Sequence, residues 1–176
     1  MILFWKNLIL FKAGWLACVY GAAHGLAWLG TAVVLAIALE HLRTAPGRQK
    51  EAMLLAVAAG IGLIWESILV SGGLLQYGDG FLVEGFAPYW IVAMWILFAT
   101  TINVGMRWLK NNWILTSIVG AICGPAAFFF GERAGAVIFT ENVLSLLAIG
   151  LGWAILLPLL AGMARRLDGY SVVPAA

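Results

Sequence analysis

The chain has 176 residues, of which 64% are hydrophobic and only 10% are charged, and its mean hydropathy is +1.01. In an average soluble domain about half of the residues are apolar and about a quarter are charged, so this composition excludes a soluble fold. The net charge of +2 does not indicate nucleic acid as a partner, because in membrane proteins the placement of Lys and Arg matters more than their sum. The sequence predicts a single integral-membrane domain in contact with the lipid bilayer.

Six apolar runs predict six transmembrane helices and therefore an all-α helix bundle. Since one span needs about 20 residues, six spans use most of the chain. In chain order, the predicted spans cover residues 8–23, 28–42, 52–71, 89–108, 113–130 and 142–163. Polar or glycine-rich turns separate the later spans, at residues 43–51, 72–88, 110–112 and 131–135.

The first two spans allow alternatives. Residues 13–40 could form one overlong helix, whereas His24 and Gly25 would supply the tight turn that two spans require. A cleavable secretory signal is a third interpretation, but residues 1–11 are more hydrophobic than the charged beginning of such a signal. In the two-span interpretation, Lys6 and Lys12 extend toward the inner headgroups.

The distribution of basic residues predicts the orientation. With six spans and a cytoplasmic N-terminus, Arg133 is the one basic residue of the ten that falls outside. This arrangement follows the positive-inside rule, whereas five spans would place Lys6 and Lys12 opposite the cluster at residues 43–50. We therefore predict a multi-pass protein of a bacterial inner membrane with both termini in the cytoplasm.

Polar residues inside the predicted spans are candidate binding residues, because a polar group in hydrocarbon needs a partner or a wet cavity. Glu66 lies roughly 20 Å from the inner end of the third span, and Arg133 is its preferred partner. The alternative is that hydroxyl or backbone groups hold Glu66 and join helices. Thr100, Asn103 and Arg107 share a helix face, with Thr101 beside them.

An inner polar cluster is also predicted, because Glu40 and His41 end the second span near the depth of Asn103 and Arg107. Glu66 and Asn103 differ too much in depth for a direct hydrogen bond. If both residues serve one site, that site is a water-lined path or an elongated ligand groove.

In the fifth span, Gly120 and Gly124 have the spacing of close helix packing, and Pro125 removes one helical hydrogen bond. The freed carbonyl group faces either another helix or a ligand. The candidate binding residues are therefore Glu66, Thr100, Thr101, Asn103, Gly124, Pro125 and Arg133.

Motifs of known enzyme classes are missing from the sequence. The histidines, His24 and His41, lie at opposite predicted membrane faces and cannot share a metal, so we predict neither a metal nor a cofactor. Cys18 and Cys123 lie in apolar runs without C-x-x-C spacing, which predicts small buried residues.

Two motifs resemble those of a known family. The fourth span reads W-x-x-F-A-T-T-x-N from Trp95 to Asn103, and the fifth continues as G-P-x-x-F-x-x-G-x-x-x-G-A from Gly124 to Ala136. With the acidic residue of the third span, they resemble the bacterial domain-of-unknown-function family twenty-eight seventy-eight over nearly the whole chain. Phe128 departs from the family, which often has an aromatic hydroxyl there, and so does the less polar pair Val104–Gly105.

The resemblance implies an inner-membrane location and no established activity. The family is often associated with genes for fatty-acyl modification, which implies lipid substrates. Three functions remain open. The protein binds or moves a lipid-like amphipathic molecule, or it is a membrane-embedded enzyme of lipid or fatty-acyl metabolism with Glu66 as acid or base. Alternatively, it is a non-catalytic partner subunit that docks through its small-residue faces. The oligomeric state is open as well.

Overall fold

The structure, a computed structural model, describes residues 1–171. Its helices are α1 (Ile2–Ala23), α2 (Ala27–Thr44), α3 (Arg48–Ser71), α4 (Tyr89–Ile102), α5 (Trp113–Arg133) and α6 (Asn142–Arg166). A 3₁₀ helix, Arg107–Asn111, lies between α4 and α5, and two short strands are β1 (Leu75–Gln76) and β2 (Ile138–Phe139). The all-α prediction with six helices is confirmed. Successive helices alternate in direction; we call the end where α1, α3 and α5 begin the proximal end and the opposite end the distal end.

A tight turn separates α1 from α2, so the two helices are not one overlong helix. Gly25 has a φ of 69°, a backbone conformation that a side chain disfavours, and the Leu26 N–H donates to the Gly21 carbonyl oxygen at 2.7 Å. The helices then pack closely, because a Cβ atom on Gly30 would overlap the Cα atom of Cys18. The small residues therefore fold this segment into an antiparallel pair.

The first helix starts earlier than the predicted span. It begins at Ile2, so Lys12 lies ten residues from its first residue and eleven from its last. At about 1.5 Å of rise per residue, Lys12 is about 15 Å from the proximal end of α1. Lys12 thus lies near the middle of the helix, and the expectation that it reaches the inner headgroups does not fit this position.

The fourth helix is shorter than its predicted span. It ends at Ile102 instead of at residue 108, because the Thr101 carbonyl oxygen accepts bonds from the N–H groups of Val104 and Met106 and closes a turn. Its 14 residues extend for roughly 21 Å, less than the hydrocarbon thickness of about 30 Å. Arg107 therefore starts a separate 3₁₀ helix instead of continuing the face of Thr100 and Asn103.

A folded loop covers the distal end of the bundle. Strands β1 and β2 pair antiparallel, with Leu75 opposite Phe139, and connect the α3–α4 loop to the segment before α6. Buried side chains from both segments, including Tyr77 and Val137, point into the core. The loop predicted from the glycines of residues 72–88 is thus partly an ordered lid on the helices.

The helices form two groups. Helix α4 lies at the centre and packs against α1, α2 and α3, whereas α5 packs along α6 and touches the 3₁₀ helix. Helix α6 also contacts α3 and α4, which joins the groups. Because α5 makes no comparable contact with α1 or α4, space remains between these three helices.

Within residues 1–171, four helices are long and apolar enough to cross a membrane: α1, α3, α5 and α6. Large apolar side chains also cover much of the surface, among them Ile9, Leu39, Ile64, Ile122 and Leu151. In water such a surface would be unfavourable, and in lipid it is not. These properties indicate a membrane protein.

Candidate functional site

An elongated cavity of about 490 Å³, which we call the lateral cavity, occupies the space between α1, α4 and α5. Tyr77 and Val137 line its distal part, and Asn7 and Met106 line its proximal part. Along α4 it runs from Trp90 to Thr101, which corresponds to roughly 16 Å. Aromatic and aliphatic side chains make up most of the wall, as in many small-molecule sites.

The small side chains of α5 leave the cavity open. Gly120, Cys123, Gly124 and Ala127 all line it, so this side of the helix fills little space. On α1, the lining residue Leu8 is exposed, as are Cys123 and Ala127 on α5. The cavity therefore opens sideways between α1 and α5, on the surface that carries the exposed apolar residues.

Gly124 and Pro125 lie at the contact between α5 and α6. A Cβ atom on Gly120 would overlap the Trp153 carbonyl oxygen, and one on Gly124 would overlap the Trp153 ring. Pro125 lies against Gly150, and only Gly124 of the two also lines the lateral cavity. The Gly–Pro motif thus brings α5 close to α6.

The Glu66 carboxyl group is fully buried and has two hydrogen-bond donors. The Tyr77 hydroxyl donates to Oε2 at 2.9 Å, and the Trp95 indole N–H donates to Oε1 at 3.0 Å. Burial, together with Glu66 itself, holds the pKa of the Tyr77 hydroxyl well above its usual range, so this group stays a donor. Glu66 lines the lateral cavity with both oxygens already bonded.

The predicted pair between Glu66 and Arg133 does not form. Tyr77 enters from the distal loop and takes the position that the cation was expected to hold. Arg133, at the end of α5, instead lies over the Phe129 ring at 5.2 Å. The alternative prediction, in which a hydroxyl group holds Glu66, describes the structure better.

Trp95 forms the cavity wall beside Glu66. Its ring stacks on Trp153 with centroids 4.7 Å apart, and Trp153 meets Phe98 edge to face at 5.1 Å. Trp95 also packs directly on Gly62 of α3, where a side chain would overlap its ring. The bond to Glu66 therefore fixes the orientation of a stacked aromatic wall.

The threonines and asparagine of the fourth span lie in different places. Thr101 lines the lateral cavity, and its hydroxyl donates to the Phe98 carbonyl oxygen at 2.6 Å. Thr100 does not line it; its carbonyl oxygen instead accepts from Asn7 Nδ2 at 3.1 Å. Asn103 is buried in a separate polar group at the proximal end.

This group, the proximal cluster, is centred on Glu51. The fully buried Glu51 carboxylate accepts from Asn103 Nδ2 at 2.8 Å and from the Gly169 N–H at 2.7 Å, and it pairs with His41 Nε2 at 2.9 Å. The predicted inner cluster of His41 and Asn103 thus forms around a residue that the sequence placed in a turn. Glu40 lies outside it and pairs with Lys6 at 2.6 Å.

Basic residues complete the proximal cluster. Lys110 donates to Asn103 Oδ1 and to Asp168, both at 2.7 Å, and Arg107 reaches Asp168 at 2.9 Å. Burial opposes ionisation of Asp168, but the bonds from Lys110 and Tyr170 and the charges of Lys110 and Arg107 hold its pKa below the usual range. The cluster therefore fastens residues 167–170 to α3 and the 3₁₀ helix.

Sequence reasoning missed several polar groups of the lateral cavity. Lys12 lines it, and within residues 1–171 the buried atoms Asn7 Oδ1 and Trp153 Nε1 have no hydrogen-bond partner. Cys123 is exposed on the cavity wall, contrary to its predicted burial, whereas Cys18 is buried as predicted. The sequence signal for Lys12 was its position within a long apolar run. Lys12 lies at the middle of α1 because the helix begins at Ile2 and not at residue 8.

Residues 4–159 match the family described as protein of unknown function (DUF2878), and the chain belongs to that family. No curated protein and no solved structure matches the chain significantly.

Proposed function

We propose that this member of the DUF2878 family is a six-span protein of a bacterial inner membrane that binds a lipid-like amphipathic molecule in the lateral cavity. The sideways opening between α1 and α5 is the observation that carries the proposal. A ligand that enters there comes from the hydrocarbon layer, so it must itself be soluble in lipid.

The lining supports a ligand with a long apolar part. Trp90, Ile91, Met94 and Phe98 of α4 follow one another along the cavity, and Phe11 and Trp15 face them from α1. The volume of about 490 Å³ falls within the range of roughly 300–1,000 Å³ that small-molecule sites occupy. A single alkyl chain suits this elongated apolar shape better than a compact polar metabolite does.

The basic residues support a cytoplasmic proximal end. Those at this end are Lys6, Arg43, Arg48, Lys50, Arg107, Lys110, Arg165 and Arg166. Arg133 lies at the distal end of α5. By the positive-inside rule, both termini then face the cytoplasm.

Filling the lateral cavity tests the proposal. The probes are hexadecanol, hexadecanoate, hexadecyl phosphate and hexadecylamine, and their binding to the detergent-purified full chain is measured by native mass spectrometry. Cys123→Phe and Ala127→Phe place a ring on the cavity side of α5. Ile122→Phe is the matched control, since Ile122 is 64% exposed and does not line the cavity.

We expect wild type and Ile122→Phe to bind at least one probe saturably, and both cavity variants to lose at least about tenfold in affinity, equivalent to about 1.4 kcal/mol. Equal binding by all four proteins would overturn the proposed site. So would the absence of saturable binding of any probe to the wild type.

A further inference from the structure

Lys12 is a cation at an unusual depth. It is exposed near the midpoint of α1, about 15 Å from either end, and an extended lysine side chain does not reach an interface from there. A charged lysine at the centre of a membrane helix is unfavourable, because hydrocarbon does not solvate the ammonium group. Charged residues that persist at this depth are functional candidates by default.

The environment of Lys12 offsets only part of this cost. Its Nζ atom lies over the rings of Phe11 and Trp15, at 5.9 Å and 6.0 Å from their centroids. Such cation–π contacts stabilise the ammonium group without neutralising its charge. Among the carboxylates of residues 1–171, none forms an ion pair with Lys12. A counter-ion supplied by a ligand would complete the site.

The position of Lys12 connects it to the lateral cavity, which it lines. The ring of the neighbouring Phe11 lies edge to face with the ring of Phe98, with centroids 6.5 Å apart, and Phe98 packs against Trp153. The Trp153 indole N–H has no hydrogen-bond partner within residues 1–171. The Lys12 ammonium group is therefore an exposed hydrogen-bond donor at the middle of the cavity, whereas the Trp153 indole N–H is buried. The Glu66 oxygens are held by Tyr77 and Trp95.

We propose that the ligand of the lateral cavity is an anionic single-chain amphipath, whose acidic head binds the Lys12 ammonium group while the adjoining part of its chain lies along α4. This inference rests on the proposed function and adds the chemical class of the ligand. A carboxylate and a phosphate monoester share the required charge and acceptor oxygens. Both form charge-assisted hydrogen bonds, which are stronger than neutral ones.

The experiment compares head groups at a constant chain length. Hexadecanoate and hexadecyl phosphate are the anionic probes, hexadecanol is the neutral one and hexadecylamine is the cationic one. Each is titrated into the detergent-purified full chain of the wild type, Lys12→Gln, Lys12→Arg and Lys50→Gln. Lys50 is the matched control, since it is exposed at the proximal end of α3 and does not line the cavity.

We expect the wild type to bind at least one anionic probe about tenfold or more tightly than hexadecanol and hexadecylamine. Lys12→Gln should abolish this preference while keeping its affinity for hexadecanol, which shows that the cavity is intact. Lys12→Arg and Lys50→Gln should keep the preference. The ratio between hexadecanoate and hexadecyl phosphate then distinguishes a fatty acid from a phosphorylated lipid.

Two results would overturn the inference: Lys12→Gln binds hexadecanoate and hexadecyl phosphate as the wild type does, or hexadecanol binds the wild type as tightly as they do. If Cys123→Phe still removes that binding, the lateral cavity remains a lipid site and only the choice of an anionic head is wrong. If no probe binds the wild type, the proposed function fails as well.

Discussion

The Glu66 carboxyl group joins three parts of the fold. It comes from α3, accepts a bond from Tyr77 in the distal loop and accepts another from Trp95 on α4. A buried polar group that loses its partner costs about 1–3 kcal/mol, so both donors matter for stability. Because Trp95 stacks on Trp153, Glu66 also determines the shape of the cavity wall. We assign Glu66 a positioning role for that wall.

We expect Tyr77→Phe to lower the free energy of unfolding by about 1–3 kcal/mol, because it removes one of the two donors to Glu66 without removing the ring. The measurement is denaturant unfolding of the purified protein in detergent. In a Glu66→Leu background the same substitution should cost much less, since the acceptor is gone.

Tyr89→Phe is the control for this prediction. Tyr89 begins α4 in the same region, and its hydroxyl donates to no group among residues 1–171. Its loss should change stability by less than about 0.5 kcal/mol. Equal costs for Tyr77→Phe in the wild-type and Glu66→Leu backgrounds would contradict the role assigned to this bond.

Sequence alone could identify Glu66 but not its partners. A carboxyl group within an apolar run is conspicuous, because hydrocarbon offers it no water. Tyr77 lies in a glycine-rich loop whose path depends on the pairing of β1 with β2, and residues 75 and 139 are distant in sequence. Charge complementarity pointed to Arg133, whereas the loop that follows α3 supplies the Tyr77 hydroxyl group directly.

Close approach of backbones explains how α1 and α2 pack. At Gly30 an added methyl group would overlap Cys18 of α1, whereas at Gly60 of α3 it would meet no atom within 4 Å. We therefore expect Gly30→Ala to lower the free energy of unfolding by about 1–3 kcal/mol through overpacking. Gly60→Ala should raise it by about 0.5–1 kcal/mol, because alanine favours the helix.

The two glycine variants are compared by denaturant unfolding in the same detergent. Each variant changes a helical glycine to alanine, so the gain in helix propensity is the same and only the surroundings of the two positions differ. A stabilising effect at Gly30 would mean that α1 and α2 lie farther apart than the structure has them. A destabilising effect at Gly60 would mean that this side of α3 is covered.

Helix boundaries were predictable where apolar runs meet charges or glycine, as at Gly25 and at Ser71, where α3 ends as predicted. The end of α4 was not, because Val104, Met106 and Trp108 extend the apolar pattern beyond Ile102, whereas the turn at the Thr101 carbonyl group is a backbone feature without a side-chain pattern. The proximal cluster depends on that turn, which brings Lys110 back to Asn103. Glu51 was missed because its turn position suggested solvent, while Gly169 and His41 enclose it.

At the scale of the molecule, the lateral cavity depends on how two groups of helices are spaced. Helix α6 fixes α5 at a distance from α1 and α4, and the small residues on α5 fill little of the space between them. The sequence predicted an elongated groove as one option for joining Glu66 and Asn103. The structure places Glu66 on the lateral cavity and Asn103 in the proximal cluster, so the groove exists without Asn103.

The orientation of the whole chain is tested with single cysteines. In full-length protein that carries Cys18→Ala and Cys123→Ala, we introduce His24→Cys, Gln49→Cys or Ala134→Cys, all at exposed turns or helix ends. The basic proximal end predicts that a membrane-impermeant maleimide labels His24→Cys and Ala134→Cys in intact cells, and Gln49→Cys only after permeabilisation. If only Gln49→Cys is labelled in intact cells, the orientation is opposite to the one proposed. Protection of His24→Cys with labelling of Ala134→Cys would mean that α1 and α2 do not both cross, and Lys12 would then lie outside the hydrocarbon centre.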